Sequence, residues 1–127
     1  MAGMNDSPMT ILAIYSEKEP FIADEKIAAI KRKHRAAFIG RTSFKEGWDA
    51  LQEYPDISVI VIECEPSNEA EVVSFIHEVS DTGDYEIVVY SDSQDCLDHL
   101  VKFCICEPRT AILSDQVAEK LPEILGL

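Results

Sequence analysis

The chain has 127 residues, the usual size of one domain, and 46% of them are hydrophobic, which predicts a globular fold. A net charge of −13 disfavours binding to nucleic acid or to an anionic membrane, and the apolar runs are too short to cross a bilayer. No basic region followed by an apolar block opens the chain, so we expect a cytoplasmic protein. Residues 1–9 are predicted to be a disordered N-terminal segment that precedes one domain, residues 10–127.

Short apolar runs alternate with segments of helical spacing along the whole chain. The runs predict five strands, at residues 10–15, 36–40, 57–62, 86–90 and 103–106. A first helix is expected over residues 21–34, and a second begins at a capping box formed by Ser43 and Glu46. A turn at residues 66–68 precedes a third helix with the apolar residues Val72, Ile76 and Val79. A fourth helix is predicted from the apolar stripe Leu97, Leu100, Val101 and Cys104. A last helix, capped by Thr110 or Ser114, carries the apolar residues Val117, Ala118, Leu121 and Ile124.

This alternation predicts a doubly wound α/β fold with a five-stranded parallel sheet, order 2-1-3-4-5, and helices on both faces. Ligands of such folds bind at the carboxyl ends of the strands. The loop after the first strand, residues 16–20, contains no glycine, so it is neither a dinucleotide fingerprint nor a P-loop. We therefore expect no cofactor.

Three short motifs, Ile11-Leu-Ala-Ile-Tyr-Ser-Glu17, Tyr54-Pro-Asp-Ile57 and Glu107-Pro108, resemble positions in bacterial response-regulator receiver domains. The resemblance implies a flavodoxin-like signalling fold and also a degenerate pocket. Receivers carry two acids after strand 1, an acceptor Asp after strand 3, and a Lys-Pro pair after strand 5. Depending on register, the acceptor position falls on Val61, Ile62 or Glu63 of this chain. The implied pocket residues are Ser16, Glu17, Glu63, Ser91, Glu107 and Pro108.

Such a pocket is unfavourable for phosphoryl transfer, which needs a carboxylate nucleophile, acids that hold Mg²⁺ and a cation beside the acyl phosphate. The resemblance puts Glu107 where receivers carry that cation. Two like charges 4 Å apart repel by about 4 kcal/mol at an effective dielectric constant of ~20. We therefore expect no enzymatic activity, and keep a phosphoacceptor at Glu63, or in a shifted register, as the least favoured alternative.

A second resemblance is to the receiver-like N-terminal "wing" domain of the ornithine, lysine and arginine decarboxylases. It rests on residues 41–48 (RTSFKEGW), 104–107 (CICE) and 110–113 (TAIL). It implies a non-catalytic module that helps to assemble oligomers and can host a small regulatory ligand. No Ser-x-His-Lys motif for pyridoxal phosphate is present, so any decarboxylase core would belong to a parent protein. A degenerate, phosphorylation-independent receiver that acts by protein contact is the runner-up.

The four cysteines, Cys64, Cys96, Cys104 and Cys106, lie in apolar stretches and are predicted to be reduced and buried. Their spacing does not match a zinc site, so no metal is expected.

Charge is distributed unevenly along the chain. Residues 1–45 hold eight Lys or Arg against five Asp or Glu, whereas residues 46–101 hold fifteen acids and no Lys or Arg. The predicted topology separates the first helix from the next three across the sheet. We therefore expect association with a second copy or with a basic protein, steered by charge. The predicted interaction surface is the basic cluster Lys31, Arg32, Lys33 and Arg35.

Overall fold

The computed structural model describes residues 10–15, 28, 37–103, 111–113 and 116–124. The predicted N-terminal segment lies outside these residues. Of the predicted first helix only Ala28 is described, and it is helical. The basic cluster also lies outside the described residues.

Five strands form one parallel sheet in the order β2-β1-β3-β4-β5, which confirms the predicted doubly wound, flavodoxin-like topology. The strands are β1 (Thr10–Ile14), β2 (Ala37–Arg41), β3 (Ile57–Glu63), β4 (Glu86–Ser91) and β5 (Ala111–Leu113). The described helices with defined bounds are α1 (Phe44–Glu53), α2 (Glu69–Thr82), α3 (Gln94–Phe103) and α4 (Val117–Ile124).

The prediction of a fifth strand at residues 103–106 is wrong. Phe103 is the last residue of α3, and β5 comes later in the chain, where Ile112 pairs with Tyr90 of β4. The run Ala111-Ile-Leu113 lies between Thr110 and Ser114, the two predicted caps of the last helix, although it is as apolar as residues 103–106. Pairing with β4 places the fifth strand at residues 111–113, where Ile112 is 6% exposed.

Two apolar cores lie on opposite faces of the sheet. Leu12, Ile60 and Ile62 face the core that α1, α2 and α3 cover, whereas Ile11, Val59 and Val61 face the core that includes Val117 and Leu121 of α4. The central strands are buried on both faces, which explains why their sequences are continuous apolar runs. Helices α1, α2 and α3 therefore share one side of the sheet.

A bulge near the start of β3 sets the register of its carboxyl end. Thr10 pairs with Ile57 but Ile11 pairs with Val59, so Ser58 is the additional residue, and its side chain is exposed. The Thr10 hydroxyl donates to Asp56 Oδ2 at 2.9 Å, which joins the start of β1 to the turn before β3. With this register, Glu63 pairs with Tyr90 at the carboxyl end of the sheet.

The Ser43 cap predicted at the start of α1 is present. Ser43 Oγ accepts a hydrogen bond from the Glu46 backbone N–H at 3.2 Å, and the Ser43 hydroxyl lies 3.1 Å from Glu46 Oε1. The helix ends at Glu53, before Pro55. Gly47 lets α1 approach the sheet closely, because a Cβ atom there would lie 2.6 Å from Ile14 Cδ1.

Candidate functional site

Two cavities lie side by side at the carboxyl ends of β1, β3 and β4, and we call this region the carboxyl edge. One has a volume of about 320 Å³ and the other about 270 Å³. Glu63 and Glu65 line both of them. The larger cavity is completed by Cys64, Pro66, Ser67, Ser91, Asp92 and Ser93. The edge is therefore polar and rich in carboxylates.

Strand β3 brings one ionisable side chain to this edge. Val61 and Ile62 are fully buried in the sheet, whereas Glu63, the last residue of the strand, is half-buried. Of the three residues predicted for the acceptor position, Glu63 is therefore the one that lines a cavity.

The loop after β3 is held by the side chain of Asn68. Asn68 Oδ1 accepts from the Glu65 backbone N–H at 2.7 Å, and Asn68 Nδ2 donates to the Glu63 carbonyl at 3.4 Å. Asn68 precedes α2 but makes no side-chain hydrogen bond to that helix. Its amide group instead fixes the backbone between Glu63 and Glu65. The predicted turn at residues 66–68 did not indicate this role.

The end of β4 provides a hydroxyl group. Ser91 is 1% exposed, and its Oγ accepts from the Ser93 backbone N–H at 3.1 Å. Ser93 Oγ in turn accepts from the Cys96 backbone N–H at 3.3 Å, which caps the start of α3. Two successive serine turns therefore hold this wall of the larger cavity.

Tyr90 lies beneath the edge and is 5% exposed. Burial raises the pKa of Tyr90 above its ordinary value, and the carboxylates of Glu63 and Asp92 raise it further, as do Tyr15 and Glu65. The tyrosine therefore stays protonated throughout the neutral range. The sequence predicts that Tyr90 lies in a strand, but it does not indicate the carboxylates around it.

The structure brings Glu63 and Ser91 of the predicted pocket together at one cavity. Ser16 and Glu17 lie outside the described residues, as do Glu107 and Pro108. Because β5 begins at Ala111, Glu107 and Pro108 precede that strand and do not follow it. The prediction that Glu107 follows the last strand is therefore wrong. The residues that do follow β5 in the sequence are Ser114, Asp115 and Gln116, and none of them is a cation.

Cys64 and Cys96 are buried, as predicted, whereas Cys104 and Cys106 lie outside the described residues. Glu69, the first residue of α2, bridges to α3: its Oε2 lies 3.8 Å from Cys96 Sγ and its Oε1 lies 3.1 Å from His99 Nδ1. Among the residues that the structure describes, no group of three His, Cys, Asp or Glu is arranged to hold a metal ion.

A groove lies between α1 and α2, on the side of the sheet that α1, α2 and α3 cover, and we call it the aromatic groove. Its volume is about 330 Å³. The Phe44 and Phe75 ring centroids are 5.1 Å apart, and those of Trp48 and Phe75 are 5.5 Å apart with an angle of 66° between the ring planes. Phe75 is buried, but Phe44 and Trp48 are only half-buried. The other lining residues are Ala70, Glu71, Ser74 and Glu78.

The fold and the carboxyl edge together define a doubly wound, five-stranded α/β domain with an acidic cavity at the carboxyl ends of its strands. No family model matches the chain, and searches of curated proteins and of solved structures find no match either. None of the described helices is both long enough and apolar enough to span a bilayer.

Proposed function

We propose that this chain is a non-catalytic, receiver-like regulatory or assembly module that acts by binding protein, similar to the N-terminal domain of an ornithine, lysine or arginine decarboxylase. The observation that carries the proposal is the charge on the side of the sheet covered by α1, α2 and α3, which we call the acidic face. These three helices hold nine Asp or Glu and two lysines, Lys45 and Lys102. Eight of the nine acids are exposed.

A face of this kind favours a basic protein surface as its partner. The carboxylates repel nucleic acid and anionic lipid over a distance set by the ionic strength, and they attract cations over the same range. The chain itself carries four cations within residues 31–35. Self-association is therefore the simplest form of the assembly role, and association with a separate basic protein is the other form.

The carboxyl edge supports a binding role in preference to phosphoryl transfer. Glu63, Glu65 and Asp92 are grouped around Ser91 and Tyr90, so an incoming phosphoryl group meets like charge. Tyr15 follows β1 at the position where the receiver resemblance calls for an acid. The larger cavity is the place where we expect a small regulatory ligand to bind.

A degenerate response-regulator receiver that signals by protein contact is the second candidate. Glu63 and Ser91 line the same cavity. This favours the second candidate, because receivers pair an acceptor carboxylate with a hydroxyl residue. A pyridoxal-phosphate core encoded in the same reading frame favours the first candidate. A histidine kinase encoded beside this chain favours the second.

Incubation with acetyl phosphate and Mg²⁺ followed by intact-mass measurement tests the absence of phosphoryl transfer. We expect the mass to stay unchanged, with Glu63→Gln as the matched control. A stable phospho-adduct on the wild-type chain that is missing from Glu63→Gln would overturn the proposal and establish Glu63 as an acceptor.

Sedimentation velocity at low and at high salt tests the binding role in its self-association form. We expect a larger species at low ionic strength that dissociates to the monomer as salt screens the charges. A monomer under both conditions would rule out self-association and leave a separate basic protein as the partner.

A further inference from the structure

We propose that the aromatic groove is the docking site for the basic run of a second copy, Lys31-Arg-Lys-His-Arg35. This inference rests on the proposed function, because it locates the surface through which the module associates. The groove is made only of described residues on α1 and α2, and its occupant is identified by charge complementarity within the chain's own sequence.

The floor of the groove suits a cationic side chain. Trp48 and Phe44 lie one helical turn apart on α1, and both contact Phe75 of α2. Both rings keep part of their surface exposed while Phe75 closes the space between the helices. An ammonium or guanidinium group is attracted to an aromatic face, to tryptophan most strongly, and the methylene stem of Lys or Arg covers the apolar surface beneath.

The wall of the groove provides counter-charge. Glu71, Ser74 and Glu78 follow one another at helical spacing along α2, and all three are exposed. Within the described part of the chain, neither Glu71 nor Glu78 forms an ion pair. A basic segment lying along α2 would meet one carboxylate at each end of the groove with the aromatic rings between them.

The larger cavity of the carboxyl edge is acidic as well, but no aromatic side chain lines it. Glu63, Glu65 and Asp92 line a cavity whose other described walls are Ser, Cys and Pro side chains. A Lys or Arg side chain there would gain Coulomb attraction alone, which is weak at an exposed site and screened by salt. The combination of ring faces and carboxylates therefore favours the aromatic groove over the larger cavity. The smaller cavity shares Phe44 and Glu71 with the groove, but it is not lined by Trp48 or Phe75.

Trp48 is the single tryptophan of the chain, so its fluorescence reports on the groove alone. A Trp48→Phe chain has no such signal and serves as the donor of the basic run when it is titrated into dilute wild-type protein at low salt. We expect a saturable change in Trp48 emission. The change should disappear when the donor also carries Lys31→Gln, Arg32→Gln, Lys33→Gln and Arg35→Gln.

Charge reversal identifies the acceptor. In the acceptor chain, E71K with E78K should weaken the association about tenfold or more, because attraction becomes repulsion at both ends of the groove. The matched control is E53K with D84K, which makes the same change of net charge at two exposed residues outside the groove and should weaken it far less. A donor with K31E, R32E, K33E and R35E should restore binding to the E71K/E78K acceptor. Circular dichroism verifies the fold of each variant.

The outcomes separate this inference from the function on which it rests. Salt-dependent association that leaves Trp48 emission unchanged, or that E71K/E78K and E53K/D84K weaken equally, overturns the groove and leaves the binding role in place. A donor with a neutralised run that still shifts the emission overturns the assignment to residues 31–35. A monomer at every salt concentration overturns the self-association form and the inference together.

Discussion

The interior and the carboxyl end of β3 are parts of one strand with opposite surroundings. Ile60, Val61 and Ile62 are fully buried by apolar neighbours on both faces, whereas Glu63 opens onto two cavities and pairs with Tyr90 among carboxylates. In the interior, side-chain volume decides the free energy of folding. At the carboxyl end, Tyr90 of β4, which pairs with Glu63, adds a dependence on pH. The interior of β3 therefore responds to side-chain size, whereas the surroundings of its end respond to pH.

Substitution in the interior should have the largest effect. Ile60→Ala removes buried methyl and methylene groups from the central core and leaves a cavity, so we expect the free energy of unfolding to fall by about 2–5 kcal/mol. Ser58→Ala in the same strand is exposed and should change it by no more than about 0.5 kcal/mol. Denaturant titration measures both. Equal losses would mean that burial does not distinguish the two positions.

The contact between α1 and the last residue of β1 should show a coupling of intermediate size. Gly47→Ala introduces a Cβ atom 2.6 Å from Ile14 Cδ1, and Ile14→Val removes that atom. In a double-mutant cycle, Gly47→Ala should therefore be more favourable in the Ile14→Val background than in the wild-type chain, by about 0.5–3 kcal/mol. Chemical denaturation of the four proteins gives the coupling, and a value near zero would show that Ile14 moves aside without cost.

Between pH 9 and pH 11 the pH response at the carboxyl end should be the smallest effect, because one proton is involved over about one pH unit above the unfolded pKa. The unfolded chain ionises tyrosine near pH 10, whereas the raised pKa of Tyr90 keeps the folded chain protonated there. Above about pH 10 the folded state therefore binds one more proton than the unfolded state. The free energy of unfolding should fall by about 1.4 kcal/mol per pH unit from this group, until the folded pKa is reached.

The control for this prediction is Tyr90→Phe, which removes the ionisable group and keeps the ring. Because the other tyrosines are unchanged, the difference between the two pH profiles isolates Tyr90. Parallel profiles from pH 9 to pH 11 would mean that the tyrosine does not stay protonated in the folded chain.

Sequence reasoning recovered the elements whose signals are local. The apolar runs of β1 and β3, the cap at Ser43 and the helical spacing of Val72, Ile76 and Val79 each depend on neighbours within a few residues. The fifth strand was misplaced because residues 103–106 and 111–113 are both short apolar runs. Choosing between them requires the pairing of Ile112 with Tyr90, a contact across the sheet.

The candidate site was recovered only in part for the same reason. Glu63 and Ser91 were predicted to lie at strand ends, since parallel strands end at one edge. The clamp by Asn68, the carboxylates around Tyr90 and the packing of Phe44 and Trp48 on Phe75 join residues from different elements. No local pattern indicates such contacts.

By itself, the sequence determined the class of fold, its strand order and the separation of basic and acidic segments along the chain, because periodicity and charge are properties of the residues in order. Only the tertiary structure decided which apolar run completes the sheet, which residue of β3 reaches the cavities and where the aromatic groove lies. Those outcomes depend on burial and register, and burial and register exist only after the strands and helices have packed together.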